Sequence, residues 1–233
     1  MSAKKIRQVT ESVWLQWTLV NMGAWTIGWP LAIGTSIALN LTLLPEIGTE
    51  IMPGDLFWAV WLSGFLLVAG AATGFLVGSA QWFVLRHRIP CPRFSNWALV
   101  SALGSGLGLS LFGAGSWMVN GALISDQTKA TLVAGIQMVS LASIGVLQWL
   151  ILRHQIQRAG WWILCCTLGL GISVTVGSVL LDPILDLSFV TDICSGTFLV
   201  GCMVGLIFGA TTGAPLAWLL RYPRKVVLQS SSE

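Results

Sequence analysis

Charge is the scarcest commodity in this chain. Only 9% of its 233 residues are Asp, Glu, Lys or Arg, against about 25% in an average soluble domain. So few charges cannot cover a soluble fold of this size, and 55% of the residues are hydrophobic. Lipid is therefore the expected solvent. Tyrosine is nearly absent too, with one Tyr against thirteen Trp; Trp suits membrane interfaces, where its ring stays apolar and its N–H reaches the headgroups. Histidine occurs twice, as His87 and His154, each directly after an Arg. There is no Ser-His-Asp set, no H-E-x-x-H and no G-x-x-x-x-G-K-[ST], so hydrolytic and nucleotide-driven chemistry lack their residues. No carboxylate stands in the middle of an apolar run, whereas pumps and proton-coupled carriers place ionisable groups there. These absences argue for a non-enzymatic protein with no catalytic, cofactor-binding or metal residues to assign. The five Cys, at 91, 165, 166, 194 and 202, form no C-x-x-C pair. Cys165, Cys166 and Cys202 sit in apolar runs and read as small hydrophobes.

What the chain does contain is a series of long apolar runs. A helix needs about 20 mostly apolar residues to cross the hydrocarbon core. Six windows meet that length, approximately 13–39, 56–85, 97–118, 130–152, 161–181 and 197–220. The first follows Lys4, Lys5 and Arg7 but is too long for a signal sequence, so it reads as a retained helix. Charge placement orients the set. Eleven of the twelve basic residues fall at the amino terminus, after the second and fourth windows, or after the sixth; Lys129 alone falls on the other side. Seven of the nine acids occupy the opposite connections. Basic residues near helix ends stay cytoplasmic, which predicts both termini inside.

A repeat organises the six segments. The second ends Gly74-x3-Gly78-x2-Gln81-Trp82-x2-Leu85-Arg86-His87, and the fourth ends Gly145-x2-Gln148-Trp149-x2-Leu152-Arg153-His154. The sixth carries a degenerate copy, Gly209-x3-Gly213 followed by Trp218 and Leu220-Arg221, with Leu216 and Ala217 where Gln and Trp would stand. The odd segments open alike at Trp17, Trp97 and Trp162. The expected fold is all-α: a six-helix transmembrane bundle built from three parallel two-helix repeats, over 13–96, 97–160 and 161–225, in one domain. Such repeats bury their faces on one another.

The repeated residues each have a physical reading. Small residues four apart let membrane helices approach closely. Gly70, Gly74 and Gly78 form one such stripe, Gly104 and Gly108 another, and Gly201, Gly205, Gly209 and Gly213 a third. They predict helix packing, with a dimer face or a groove for a flat cofactor as the alternative. Gln81 and Gln148 lie on the glycine face, three residues after Gly78 and Gly145. An amide unpaired in hydrocarbon is costly, so each is expected to bond across to another helix as a polar clamp, with Asn21 or Ser101 as partners. Trp82, Trp149 and Trp218, with Arg86, Arg153 and Arg221, read as interfacial lipid anchors. Asp182, Asp186 and Asp192 form an acidic outer segment. It reads as solvated, with a gathered cation as the sharper alternative.

The Gly-x3-Gly-x2-Gln-Trp-x2-Leu-Arg element resembles a group of uncharacterised bacterial, chiefly cyanobacterial-type, multi-pass membrane proteins. The resemblance implies a membrane location and no particular activity. The layout is also similar to that of mitochondrial carriers, but their Pro-x-Asp/Glu-x-x-Lys/Arg signature is missing. The expected role is a structural, accessory or assembly subunit of a bacterial inner or thylakoid membrane, packing on partner proteins, lipid or pigment. A passive channel for a small neutral or apolar solute is the alternative. Expected partners are membrane lipid, a membrane protein or a second copy, and no nucleic acid; no cofactor is assigned.

Overall fold

A computed structural model of the chain describes residues 3–47, 54–88, 93–121, 124–185 and 191–221. Among them are six helices: α1 Ala3–Ile47, α2 Gly54–Leu85, α3 Phe94–Gly121, α4 Asp126–Leu152, α5 Trp161–Leu185 and α6 Thr191–Leu219. All six are apolar around most of their circumference, as helices are when lipid or a protein core surrounds them. Polar side chains inside them are tied down locally. Thr18, Ser101, Thr167 and Ser173 each donate to the carbonyl one turn earlier, which spares the hydroxyl an unpaired state. The Ser125 hydroxyl caps α4 by accepting from the Thr128 N–H.

The helices form a ring. Each lies along its neighbours in sequence, α2 most extensively along α3, and α6 closes the circle on α1. No other pair of helices approaches as closely among the described residues. The outward side chains are apolar: Leu99, Leu103, Leu107 and Leu111 project from one face of α3, and Leu164, Leu168 and Ile172 from α5. The inside holds Asn21, Gln81, Ser101, Gln148, Ser173 and Thr212, all with no exposed surface. These polar side chains sit in a core that is otherwise apolar, inside an outer surface that is apolar too, which is not the surface of a water-soluble fold.

Four helices are long and apolar enough to cross a membrane: Val60–Leu85, Phe94–Val119, Asp126–Leu152 and Gly196–Leu219. The sequence windows predicted six. Trp161–Val176 is apolar but short in its described part. In α1 the described stretch includes Gln16, Asn21 and four Trp, which lower its mean hydropathy. The connection after α4 is compact. Ile156 and Ala159 turn into the core, and Arg158 takes a left-handed backbone with φ 60°.

Candidate functional site

The buried amides form one network near the arginine-bearing end of the ring. Gln81 Nε2 donates to Asn21 Oδ1 at 2.9 Å. Gln148 Nε2 donates to Gln81 Oε1 at 3.1 Å and to Ser101 Oγ at 2.9 Å. The Trp162 indole N–H donates to Gln148 Oε1 at 2.9 Å. Asn21 Nδ2 and Ser101 Oγ then donate to the carbonyls of Trp17 and Trp97, each at 2.8 Å. The five polar side chains come from α1, α2, α3, α4 and α5. A second link crosses the α1–α6 seam, where the Trp17 indole donates to Thr212 Oγ1 at 2.9 Å and Thr212 donates to the Phe208 carbonyl. Trp17 also meets Trp162 edge to face, with ring centroids 5.8 Å apart.

None of Trp17, Asn21, Gln81, Trp97, Ser101, Gln148, Trp162 or Thr212 has exposed surface. The bundle axis is thus closed at their level by a neutral plug. Not every member is satisfied. The Trp97 indole N–H has no partner among the described residues, although Trp97 is wholly buried.

Sequence reasoning missed Trp17, Trp162 and Thr212 as network members. It singled out Leu216 and Ala217 as the degenerate positions of the third copy; both are buried. The polar role on α6 falls instead to Thr212, one turn deeper. A usable signal was present: three Trp opening the odd segments, each needing an acceptor if buried.

The glycines lie between helices of this chain. A Cβ on Gly70 would stand 2.7 Å from the Ser105 carbonyl, and one on Gly74 would strike the Ser101 carbonyl, both on α3. A Cβ on Gly78 would meet the Ser101 side chain. Gly104 and Gly108 face Ile144 and Ser140 of α4. On α6, Gly201, Gly205, Gly209 and Gly213 run along α1, against Trp25, Asn21, Thr18 and the Trp14–Trp17 pair. Pro215 interrupts the α6 ladder beside this seam, where the Trp14 indole donates to the Ala210 carbonyl at 3.0 Å.

Away from the arginines, the ring opens into an apolar cavity of about 300 Å³. All six helices line it, through Trp25, Thr73, Phe112, Ile144, Leu170 and Val204 among others. Its floor lies one turn from the plug on three helices, as Trp25, Gly104 and Ile144 follow or precede Asn21, Ser101 and Gln148 by three or four residues.

At the other end, the Arg86 guanidinium stacks over Trp82 and Phe83, with centroids at 5.3 and 4.8 Å. Arg153 stacks over Trp149 at 5.3 Å, and Arg158 reaches the Trp218 ring at 5.9 Å. The three Trp pack partly against the core. Arg221 is exposed beside them. His87 Nδ1 lies 3.1 Å from the Phe83 carbonyl, and His154 Nε2 accepts from Arg153 Nε at 3.2 Å. No group of three metal-binding side chains occurs among the described residues. Cys165, Cys166 and Cys202 are free thiols. Cys91 and Asp186, and the side chains of Asp182, Asp192 and Cys194, lie outside the described residues. No protein-family model, curated protein or solved structure matches the chain.

Proposed function

We propose that the chain is a non-catalytic multi-pass protein of a bacterial inner or thylakoid membrane, an accessory or binding subunit rather than an enzyme or a solute channel. Six helices would span the bilayer in three parallel pairs, with both termini cytoplasmic. The carrying observation is the plug: a neutral, wholly buried polar network inside a bundle whose outer surface is apolar. In hydrocarbon such groups must find partners within the protein. The network contains no ionisable group, so it offers neither a proton relay nor an acid–base pair. A channel would need Asn21, Gln81 and Gln148 along an open path, and their mutual bonding without exposed surface speaks against one.

Several contacts support the paired-helix repeat. Trp97 and Trp162 are wholly buried in the first turns of α3 and α5, and Trp17 is wholly buried about four turns into α1. On α4, Gln148 accepts the indole N–H of the next odd helix; on α6, Thr212 does the same for α1. The glycine contacts support packing within the chain as the role of the stripes. That leaves the apolar exterior and the cavity, whose wall includes Gly70, Gly104 and Gly108, for lipid, pigment or a partner. The stacked Trp and Arg at one end support interfacial anchoring.

Two measurements test this. Proteoliposomes of the purified chain should pass small neutral solutes no faster than protein-free vesicles; saturable flux would overturn the sealed-bundle reading. Purification from native membranes in mild detergent should retain a bound apolar molecule or a larger complex. A bare monomer carrying only exchangeable bulk lipid would count against the accessory role.

A further inference from the structure

We propose that the cavity above the plug holds a single hydrocarbon tail of a membrane lipid, an acyl chain entering from the leaflet opposite the arginines. The proposal rests on the membrane reading above.

Shape supplies the first argument. The lining runs between Trp25 and Ile33 on α1, Leu66 and Thr73 on α2, Gly104 and Phe112 on α3, and Gln137 and Ile144 on α4. Each stretch is seven or eight residue steps, or about 12 Å at 1.5 Å per residue. Dividing the volume of about 300 Å³ by that depth gives a cross-section of about 25 Å², roughly 5 Å across. One hydrocarbon chain fits that width, since carbons touch at about 4 Å.

Chemistry supplies the second. No charged side chain lines the cavity. Three of its four hydroxyls are turned into the backbone: Thr73 donates to the carbonyls of Gly28 and Ala69, Ser140 to that of Ile136, and Ser143 to those of Gly104 and Ser140. The wall therefore asks for few polar partners; the exception at the floor is Trp25, whose indole N–H has no partner among the described residues. Gln137 is the one amide on it, at the end of the α4 lining farthest from the plug. A lipid ester would come to rest nearest that end. Apolar cavities of this kind stay dry and take apolar guests.

Depth supplies the third. Ile144 precedes Arg153 by nine residues, about 14 Å along α4, and half of the hydrocarbon core is about 15 Å. With Arg153 at the cytoplasmic interface, the blind end falls near the midplane. The cavity then occupies the opposite leaflet, the depth range of one acyl tail.

The test uses the full chain in nanodiscs made with a phospholipid bearing a photoactivatable diazirine near its tail end. Label is expected on inward residues such as Leu109, Leu141 and Leu170, and one lipid per chain should survive exhaustive detergent exchange. Val174→Trp and Ala32→Phe, which fill the cavity, should cut retention at least tenfold, whereas Leu107→Phe on the outer face should not. Label confined to outward residues such as Leu103 and Ile172 overturns the site, and this result does not depend on the variants folding. Recovery of an isoprenoid or pigment in place of an acyl lipid overturns the choice of occupant. A protein that passes no solute yet labels only outside loses the tail site alone; one that passes solute loses the sealed bundle as well.

Discussion

Replacing Gln148 with Met removes the amide at the centre of the plug while keeping a side chain of similar length and flexibility. The wild-type amide makes three bonds, donating to Gln81 and Ser101 and accepting from Trp162. In the variant, Gln81 Oε1 and the Trp162 N–H lose that partner. Ser101 keeps its bond to the Trp97 carbonyl. Interhelical hydrogen bonds in membrane proteins average about 0.6 kcal/mol, so three set a floor of about 2 kcal/mol. Counted instead as two stranded buried groups at about 1–3 kcal/mol each, the same loss is about 2–6 kcal/mol. The expected destabilisation is about 2–4 kcal/mol, roughly 30- to 1,000-fold in the unfolding constant. Equilibrium unfolding of the full chain in mixed micelles, followed by Trp fluorescence, reads it. Trp162→Phe closes a double-mutant cycle, with a coupling of about 0.5–2 kcal/mol expected for the shared bond. A Gln148→Met protein within about 0.5 kcal/mol of wild type, and additive with Trp162→Phe, would refute the reasoning.

Other substitutions probe different parts of the account. Gly205→Ala places a Cβ 2.6 Å from the Asn21 carbonyl and should cost about 1–3 kcal/mol by unfolding; Gly135→Ala, with nothing within 4 Å, should be neutral or slightly stabilising. Trp97→Phe should cost about 1 kcal/mol less than Trp17→Phe in the same assay, because the Trp17 N–H is bonded and the Trp97 N–H has no partner among the described residues. In a background with all five Cys replaced by Ala, Ser125→Cys should react with an impermeant maleimide from outside intact cells and Arg88→Cys should not; the reverse pattern would invert the proposed topology.

The six helices were legible because lipid-length apolar runs separate cleanly at the charged turns, from Arg86 to Arg88 and around Arg153. The inward placement of Gln81 and Gln148 was legible from their offset to Gly78 and Gly145. Their particular partners were only narrowed to Asn21, Ser101 or a carbonyl, because partner choice depends on axial register between helices far apart in sequence. The α6–α1 seam is the clearest case. Residues near 200 pack on residues near 20, and no local pattern marks that pairing. Thr212 escaped because a short hydroxyl residue in a membrane helix usually bonds its own backbone, which Thr212 also does. The cavity was invisible for another reason: its wall is assembled from small and apolar residues on six helices, and the space they leave depends on inter-helix distances the sequence does not state.

The most direct test is a high-resolution experimental structure of the full chain in lipid nanodiscs. It should show unbroken side-chain density joining Asn21, Gln81, Gln148 and Trp162 across a dry axis, below a cavity filled by apolar density. A water-filled path between the helices at the level of Gln81, with the amides turned toward it, would contradict the account.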